Sequence, residues 1–277
     1  MAHTPSPADD VRFLGGLAYA APLGFRPLLL DLYLPARPDP APLVVFVHGG
    51  GWLRGDRSTV SPRLASWRPG PLARLAAAGF AVASVDYRLS GEARFPAQLE
   101  DVSAAVEWLT GQAEDYGFDP GRIVLWGESA GAHLAALLGL RSPGRPVRGV
   151  VDWYGPADLA ALDGQVGAAG ALTDDPLDTR EARLLGAPVA EAPELARAAS
   201  PISHVRAGAP PFLIAHGTAD RAVPFSQSEA LAAALAEAGV GVSFEAVEGA
   251  GHMWVGVADP TPLFDAVVAF AREVAGV

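Results

Sequence analysis

The chain has 277 residues, of which 50% are hydrophobic and 18% are charged, and its formal charge is −11. Cys, Lys and Asn are absent, so all 20 basic residues are Arg. These absences exclude a Schiff-base lysine, a thiol nucleophile and Cys-ligated metal sites, and the acidic balance disfavours nucleic acid and anionic membranes as partners. We therefore expect an activated nucleophile to be Ser, Thr, Asp or Glu.

Short apolar runs alternate along the chain with Ala- and Leu-rich helical patterns. Most of the apolar runs are continuous, which is typical of strands covered on both faces. The predicted strands are residues 11–19 (the weakest), 28–34, 43–47, 80–85, 122–126, 148–153, 211–215 and 242–247. The predicted helices are residues 71–78, 97–109, 130–140, 226–238 and 262–274. This order predicts an α/β fold with a mostly parallel eight-stranded sheet and helices on both faces.

Two parts of the chain depart from the alternation. The strands up to about Pro42 precede any helix, and we expect them to pair as an antiparallel meander at one edge of the sheet. Residues 155–209 contain no convincing strand and only short helical patches, near 180–185 and 193–198. Segments of this length inside a compact domain are usually lids or binding elements, with a surface insertion as the alternative. We predict one domain over residues 1–277, with a cap inserted at 155–209.

A glycine-rich motif, H-G-G-G-W from His48 to Trp52, directly follows predicted strand 43–47. Its glycine amides are not shielded by side chains, so two of them can point at the oxyanion that develops on an attacked carbonyl. Gly-rich turns can also hold phosphate, but here no Lys follows and no G-x-G-x-x-G opens a helix. A plain tight turn is the structural alternative.

A second motif, G-E-S-A-G at residues 127–131, joins predicted strand 122–126 to predicted helix 130–140. A sharp strand-to-helix turn would lift the Ser129 hydroxyl above the sheet, and flanking glycines remove Cβ atoms that would clash there. The N–H of Ala130 would then point at the site from the start of the helix. The alternative is a Gly-rich turn with an idle serine.

A serine nucleophile needs a base, and six His are present: His3, His48, His133, His204, His216 and His252. His3 lies in a Pro-rich tail, His204 lies in the insertion, and His48 is better placed to brace the glycine loop. His133 follows Ser129 by one helical turn, where a core role is more typical, and His216 borders the site. His252 lies in a Gly-rich loop after the last strand, from which an imidazole can reach a distant serine. We therefore predict His252 as the base.

The acid that orients this histidine should follow a strand between the serine and the histidine, because Ser, acid, His is the chain order of such elbow enzymes. Asp220 meets this condition, since it lies one short loop after predicted strand 211–215. A turn-forming Asp is the structural alternative. The rival carboxylates, which we rank lower, are Asp152, Asp158, Asp163 and Glu248.

Taken together, these motifs resemble the α/β-hydrolase superfamily, and within it the bacterial carboxylesterases of the hormone-sensitive-lipase and feruloyl-esterase-like branch. The similarity runs in the expected order from about residue 28 to the C-terminus. The residues that carry it are 48–52, Asp86-Tyr87-Arg88-Leu89, 95–101, 127–131, His216 to Asp220 and Gly251-His252. The chain lacks the long N-terminal helical cap of hormone-sensitive lipases, which favours a more open site.

The resemblance implies specific roles for residues of this sequence. Ser129, Asp220 and His252 would form a catalytic triad, and the N–H groups of Gly50, Gly51 and Ala130 would form the oxyanion hole. Asp86 and Arg88 would form a structural pair. The side chains Trp52, Trp153, Met253 and Trp254 flank the motifs and could line an apolar substrate pocket, although ordinary core packing explains most of them equally well.

The resulting prediction is a serine carboxylesterase that hydrolyses small to medium, preferably neutral, esters through an acyl-enzyme, with no metal or organic cofactor. An amide-cleaving relative, of kynurenine-formamidase-like or acylpeptidase-like type, remains an alternative, as does a non-catalytic binding protein on the same scaffold. The first ten residues lack a signal-peptide pattern, and no run approaches the roughly 18 apolar residues of a membrane span. A cytoplasmic location is therefore expected, and monomer and homodimer both stay open.

Overall fold

The computed structural model describes residues 11–37, 39–141, 144, 146–166 and 179–277, and it gives only the backbone of 163–166. Within these ranges eight strands form one sheet. They are β1 (Val11–Ala20), β2 (Leu28–Pro35), β3 (Ala41–Val47), β4 (Ala81–Val85), β5 (Phe118–Glu128), β6 (Val147–Trp153), β7 (Phe212–Gly217) and β8 (Val242–Val247). The predicted eight strands and the α/β fold are confirmed, with small shifts at the strand ends.

The strand order across the sheet is β1-β2-β4-β3-β5-β6-β7-β8. Every pair from β4 to β8 is parallel, whereas β1 and β2 are antiparallel to their neighbours. The expected antiparallel pairing of the strands before Pro42 at one edge of the sheet is confirmed, because β1 pairs with β2, and β2 in turn pairs with β4. β3 is buried along its whole length and takes a central place between two parallel neighbours, which leaves β1 and β2 at the edge.

Ten α-helices are assigned within the described ranges. They are α1 (Pro62–Ala65), α2 (Pro71–Ala77), α3 (Ala97–Gly111), α4 (Ala113–Tyr116), α5 (Ala130–Arg141), α6 (Leu159–Val166), α7 (Arg180–Leu185), α8 (Pro193–Ala198), α9 (Ser226–Glu237) and α10 (Thr261–Ala275). Alternate side chains of β3 serve two separate cores: Val45 packs on the face covered by α3, α5 and α9, and Phe46 on the face covered by α1, α2 and α10. The helices on both faces explain why the strands are continuous apolar runs.

The described part of the predicted insertion is packed against the body of the protein. α7 and α8 occupy the two predicted helical patches. Leu184 and Leu185 are buried in the core, and the Leu184 carbonyl accepts a hydrogen bond of 2.8 Å from the Phe95 N–H. Residues 167–178 of the insertion lie outside the described residues, as does His3. Whether the segment acts as a cap therefore stays a prediction.

Candidate active site

Ser129 lies at the junction of β5 and α5 in a left-handed backbone conformation, with φ of 54°. A non-glycine residue held in this region stores strain, which is typical of residues at functional sites. Two glycines allow the turn to be this tight. A Cβ on Gly127 would run into the backbone of Gly131, and a Cβ on Gly131 would run into the carbonyl of Val47 at the end of β3. The predicted strand-to-helix elbow is thus present, and it packs against the glycine loop.

Three side chains from three different loops meet above the carboxyl ends of the strands. His252 Nε2 lies 3.0 Å from the Ser129 Oγ, and His252 Nδ1 lies 2.6 Å from Asp220 Oδ2. The carboxylate accepts a hydrogen bond from Nδ1–H, so Nε2 is left free to accept the serine proton. Residues separated by up to 123 positions in the sequence are therefore joined in one hydrogen-bonded chain.

Asp220 has four hydrogen-bond donors around its two oxygens. The backbone N–H groups of Ala222 and Val223 donate to Oδ1 at 2.8 and 3.0 Å. His252 contacts Oδ2, and His216 Nε2 lies 3.2 Å from the same oxygen. Burial alone would raise the pKa of Asp220, but the hydrogen bonds from His216 and His252 outweigh it and hold the pKa below the ordinary value of 3.8.

His216 is a supporting residue that the sequence indicated only as a neighbour of the site. Its ring is fully buried, and Nδ1 lies 2.7 Å from the Ser228 Oγ on α9. Nε2 is within reach of both Asp220 and the Val223 carbonyl, which lies 2.9 Å away. The signal that could have identified it is its place at the carboxyl end of β7, four residues before the acid.

The glycine loop lies against the nucleophile. Gly50 and Gly51 have φ of 113° and 62°, values that strongly favour glycine, and a Cβ on Gly50 would meet the Arg54 carbonyl. A Cβ on Gly49 would come within 3.4 Å of the Ser129 Cβ. The loop that sequence reasoning assigned to oxyanion binding therefore adjoins the serine, next to Ala130 at the start of α5.

His48 braces this loop as expected. Its ring stacks on Tyr87 with 4.3 Å between ring centroids, and the Tyr87 hydroxyl donates to the His48 carbonyl at 3.1 Å. Burial lowers the pKa of His48, so the ring is neutral at physiological pH. The prediction that Asp86 and Arg88 form a structural pair is wrong. Arg88 forms an ion pair with Asp101, and Asp86 forms one with Arg57, so each has a structural role with a different partner.

Glu128, directly before the nucleophile, is a second residue whose role the sequence did not reveal. The side chain is buried, and the Ser61 N–H bonds to it while Oε1 has no partner. Burial raises the pKa of Glu128 to about 8, so the carboxyl group is neutral at pH 7. Ser61 also donates from Oγ to the Met253 carbonyl at 3.2 Å, which connects this pocket to the loop of His252.

Four of the remaining candidate bases and acids make structural contacts: His133, Asp158, Asp152 and His204. His133 accepts from the Trp52 indole N–H at 3.3 Å, and its Nε2 lies 2.6 Å from the Ala199 carbonyl. Asp158 caps α6, and Glu248 is exposed to solvent. Asp152 is buried and accepts from the Gly155 N–H; burial raises its pKa to about 6. His204 contacts the Ala198 carbonyl, and the side chain of Asp163 lies outside the described residues.

The four predicted pocket residues fall into two groups. Trp52, Trp153 and Trp254 are each at most 1% exposed, and Trp153 packs edge-on against Trp254 with ring centroids 5.2 Å apart. These three side chains therefore line no open pocket in this structure, which favours the alternative of core packing. Met253 is 38% exposed beside His252, and it alone of the four stays available to contact a substrate.

No cluster of three or more His, Asp or Glu side chains arranged to hold a metal occurs in the described ranges. The same ranges hold no helix with both the length and the apolar character needed to cross a bilayer.

The mostly parallel sheet, the strained serine elbow and the glycine loop define the molecule as an α/β-hydrolase, and the predicted resemblance to carboxylesterases of the hormone-sensitive-lipase-like branch is confirmed. More narrowly, the chain belongs to the BD-FAE family, whose family model matches residues 30–235. Among curated relatives it is 33% identical over 247 residues to the esterase LipQ of Mycobacterium tuberculosis, with 83% of this chain and 55% of LipQ covered.

Other comparisons agree. A probable isoprenylcysteine alpha-carbonyl methylesterase of Oryza sativa subsp. japonica is 31% identical over 241 residues, with 83% of this chain and 56% of that protein covered. The chain thus spans about half the length of these curated relatives. A truncated carbohydrate esterase from gut microbiota is 30% identical with a TM-score of 0.82, and the match covers 96% of this chain and 97% of that one. A bacterial heroin esterase is 25% identical with a TM-score of 0.74, over 97% and 86% of the two chains.

Proposed function

We propose that the protein is a serine carboxylesterase that hydrolyses small to medium carboxylic esters. The observation that carries the proposal is the hydrogen-bonded chain from Ser129 through His252 to Asp220, with distances of 3.0 and 2.6 Å. These are the distances that a nucleophile, its base and an orienting acid require. The relatives named as esterases support the same chemistry.

In the proposed mechanism His252 Nε2 removes the proton from the Ser129 hydroxyl as its oxygen attacks the ester carbonyl. Asp220 holds the imidazole in the correct tautomer and stabilises the imidazolium. The imidazolium then protonates the leaving alcohol, which leaves an acyl group on the serine. Water, deprotonated by His252, releases the carboxylic acid in the second half of the cycle and regenerates the serine.

The N–H groups of Gly50, Gly51 and Ala130 are the proposed donors to the tetrahedral oxyanion. They come from the glycine loop and from the first residue of α5, two elements that the packing of Gly131 against β3 holds together. Removal of one such donor typically costs about 3 kcal/mol of transition-state stabilisation. Met253 is the proposed apolar contact for the substrate, because its side chain is exposed next to His252.

The test is hydrolysis of p-nitrophenyl butyrate by the wild type and by Ser129→Ala. We expect kcat to fall by about 10⁵-fold or more, because loss of the nucleophile removes the covalent pathway. The matched control is Ser243→Ala on β8, an exposed serine remote from the site, which should keep full activity. A p-nitrophenyl phosphonate should label the wild type at one equivalent and leave Ser129→Ala unlabelled. Activity of the alanine variant near the wild-type level would overturn the proposal.

An amide-cleaving enzyme is the alternative, because the same triad can act on both bond types. Matched p-nitrophenyl butyrate and butyryl p-nitroanilide separate the two activities. A kcat/KM for the anilide equal to or above that for the ester would replace the esterase with an amidase.

A further inference from the structure

The loop that carries His252 contains strained backbone. Met253 and Trp254, the two residues after the histidine, have φ of 58° and 64°, in the left-handed region that favours glycine. Such a conformation costs free energy in a bulky residue, and it persists only where the surrounding structure over-determines it. The position of the His252 imidazole therefore depends on the contacts that hold these two residues.

Backbone hydrogen bonds and one buried ring hold the ends of this loop. The Gly251 N–H donates to the Val255 carbonyl at 2.8 Å, and the two residues form an isolated β-bridge. The Trp254 indole is buried and packs edge-on against Tyr154, with ring centroids 4.9 Å apart. Neither contact involves Met253, whose side chain is exposed.

The Met253 carbonyl is held from outside the loop by Ser61. The Ser61 Oγ donates to this carbonyl at 3.2 Å, across 192 positions of the sequence, and Ser61 is 2% exposed. Ser61 is the N-cap residue of α1, where a serine hydroxyl usually accepts from a backbone N–H of the first helical turn. Here the side chain makes no capping hydrogen bond. The hydroxyl therefore serves the histidine loop and not its own helix.

The backbone of Ser61 is tied to the nucleophile elbow. Its N–H bonds to the carboxyl group of buried Glu128, the residue directly before Ser129. Its carbonyl accepts from the N–H groups of Leu64 and Ala65, at 2.9 and 3.0 Å, which fixes it at the start of α1. One buried residue thus connects the elbow of the candidate nucleophile with the loop of the candidate base.

We infer that Ser61 is a positioning residue for the hydrolysis, because its hydroxyl fixes the Met253 peptide and so keeps His252 Nε2 within reach of the Ser129 Oγ. The inference rests on the proposed esterase function. The distance between these two atoms is 3.0 Å, and a misplacement of about 1 Å can cost about 10²-fold in rate. Without the Ser61 hydroxyl, the Met253 peptide turns more freely and the imidazole spends less time in the reactive position.

The test compares Ser61→Ala with the wild type in the hydrolysis of p-nitrophenyl butyrate. We expect kcat to fall by about tenfold with KM within about threefold, because the base is displaced while the substrate contacts are kept. The variant should fold, since the lost hydroxyl does not cap α1. Ser61→Cys keeps the side-chain volume but offers only a weak donor, and it should show a similar loss.

Ser200→Ala is the matched control for the loss of a buried hydroxyl. Ser200 is 1% exposed, and its Oγ donates to the Ala196 carbonyl at 2.7 Å and accepts from the Leu159 N–H at 3.0 Å. Because two hydrogen bonds are lost, the melting temperature of Ser200→Ala should fall at least as far as that of Ser61→Ala. Its kcat should stay within about twofold of the wild type.

A double-mutant cycle with His252→Ala separates positioning from a general structural role. Because Ser61 acts through the imidazole, Ser61→Ala should change the residual rate of His252→Ala by less than about twofold. In the presence of His252, labelling of Ser129 by a p-nitrophenyl phosphonate should slow by about the same factor as kcat, since both reactions need the same base.

Three results would overturn the inference. The first is a kcat within twofold of the wild type for either folded Ser61 variant, and the second is an equal loss of kcat in Ser200→Ala. The third is the same loss from Ser61→Ala with and without the His252 imidazole. Failure of the proposed function is a separate result, because hydrolysis would then persist in Ser129→Ala.

Discussion

Two buried carboxyl groups flank the candidate active site, and they are in opposite states. Asp220, on the loop after β7, accepts from two backbone N–H groups and lies against two imidazoles, and its pKa is lowered. Glu128, at the end of β5, receives one N–H from Ser61, and its pKa is raised to about 8. Both are under 10% exposed, so burial alone does not decide the charge of either group.

The difference shows how many donors a carboxylate needs before it can stay ionised in a protein interior. Desolvation raises the pKa of both groups, and only at Asp220 do hydrogen bonds outweigh it. Because Glu128, next to the nucleophile, stays neutral, the imidazolium of His252 has one negatively charged partner, Asp220.

Asp220→Asn removes the negative charge and leaves the shape. We expect kcat for p-nitrophenyl butyrate to fall by about 10⁴-fold, because an amide N–H facing Nδ1 favours the wrong tautomer of His252. Circular dichroism should confirm that the variant is folded. A loss below tenfold would mean that another group orients the histidine, and Glu248→Gln would then be the next variant to assay.

His216→Phe removes one donor from Asp220 and keeps an aromatic ring in the buried space. The expected loss in kcat is about tenfold, because the carboxylate is less well held. The pKa of the Asp220 carboxyl group should also rise toward its ordinary value. His216→Gln restores an N–H donor and should recover part of the activity. Equal activity of the two variants, at equal thermal stability, would reduce His216 to a packing residue.

Glu128→Gln tests the neutral carboxyl group, which glutamine mimics. At pH 7 we expect kcat within about threefold of the wild type. The effect on the free energy of unfolding depends on pH. A carboxyl group whose pKa is raised in the folded protein contributes its full stabilisation below its ordinary pKa, which is 4.5 for Glu128. That contribution is lost as the pH rises to about 8. The loss is about 1.4 kcal/mol per pH unit, which amounts to a few kcal/mol in all.

Urea unfolding at pH 5 and pH 8 measures this difference. Glu128→Gln should gain stability over the wild type at pH 8 but not at pH 5. The exposed Glu248→Gln, which removes the same formal charge, should follow the wild type at both pH values. If the stability of Glu128→Gln falls with pH in parallel with the wild type, the carboxyl group is ionised in the folded protein and the contrast with Asp220 does not exist.

The sequence was most informative where local geometry restricts the residue type. The elbow requires glycines at 127 and 131, the loop after β3 requires glycines at left-handed positions, and chain order then favoured Asp220 and His252 over their rivals. The sequence was least informative about burial at strand ends. Trp153 ends a strand covered on both faces, so neither periodicity nor the nearby motif showed that it packs inward.

The pairing of strands that are distant in the sequence could not be predicted either. β2 pairs with β4 and not with β3, and this pairing depends on the whole sheet, so no local sequence pattern predicts it.

The contact of Gly131 with the end of β3 has a consequence for protein engineering. Every other residue type adds at least a Cβ, which here would meet the carbonyl groups of Val47 and His48, and no side-chain rearrangement can relieve a clash with backbone. A saturation library screened for hydrolysis should therefore find position 131 as intolerant as the nucleophile, although Gly131 has no group that can take part in the reaction. Libraries meant to widen substrate range are better directed at Met253, whose side chain is exposed beside His252.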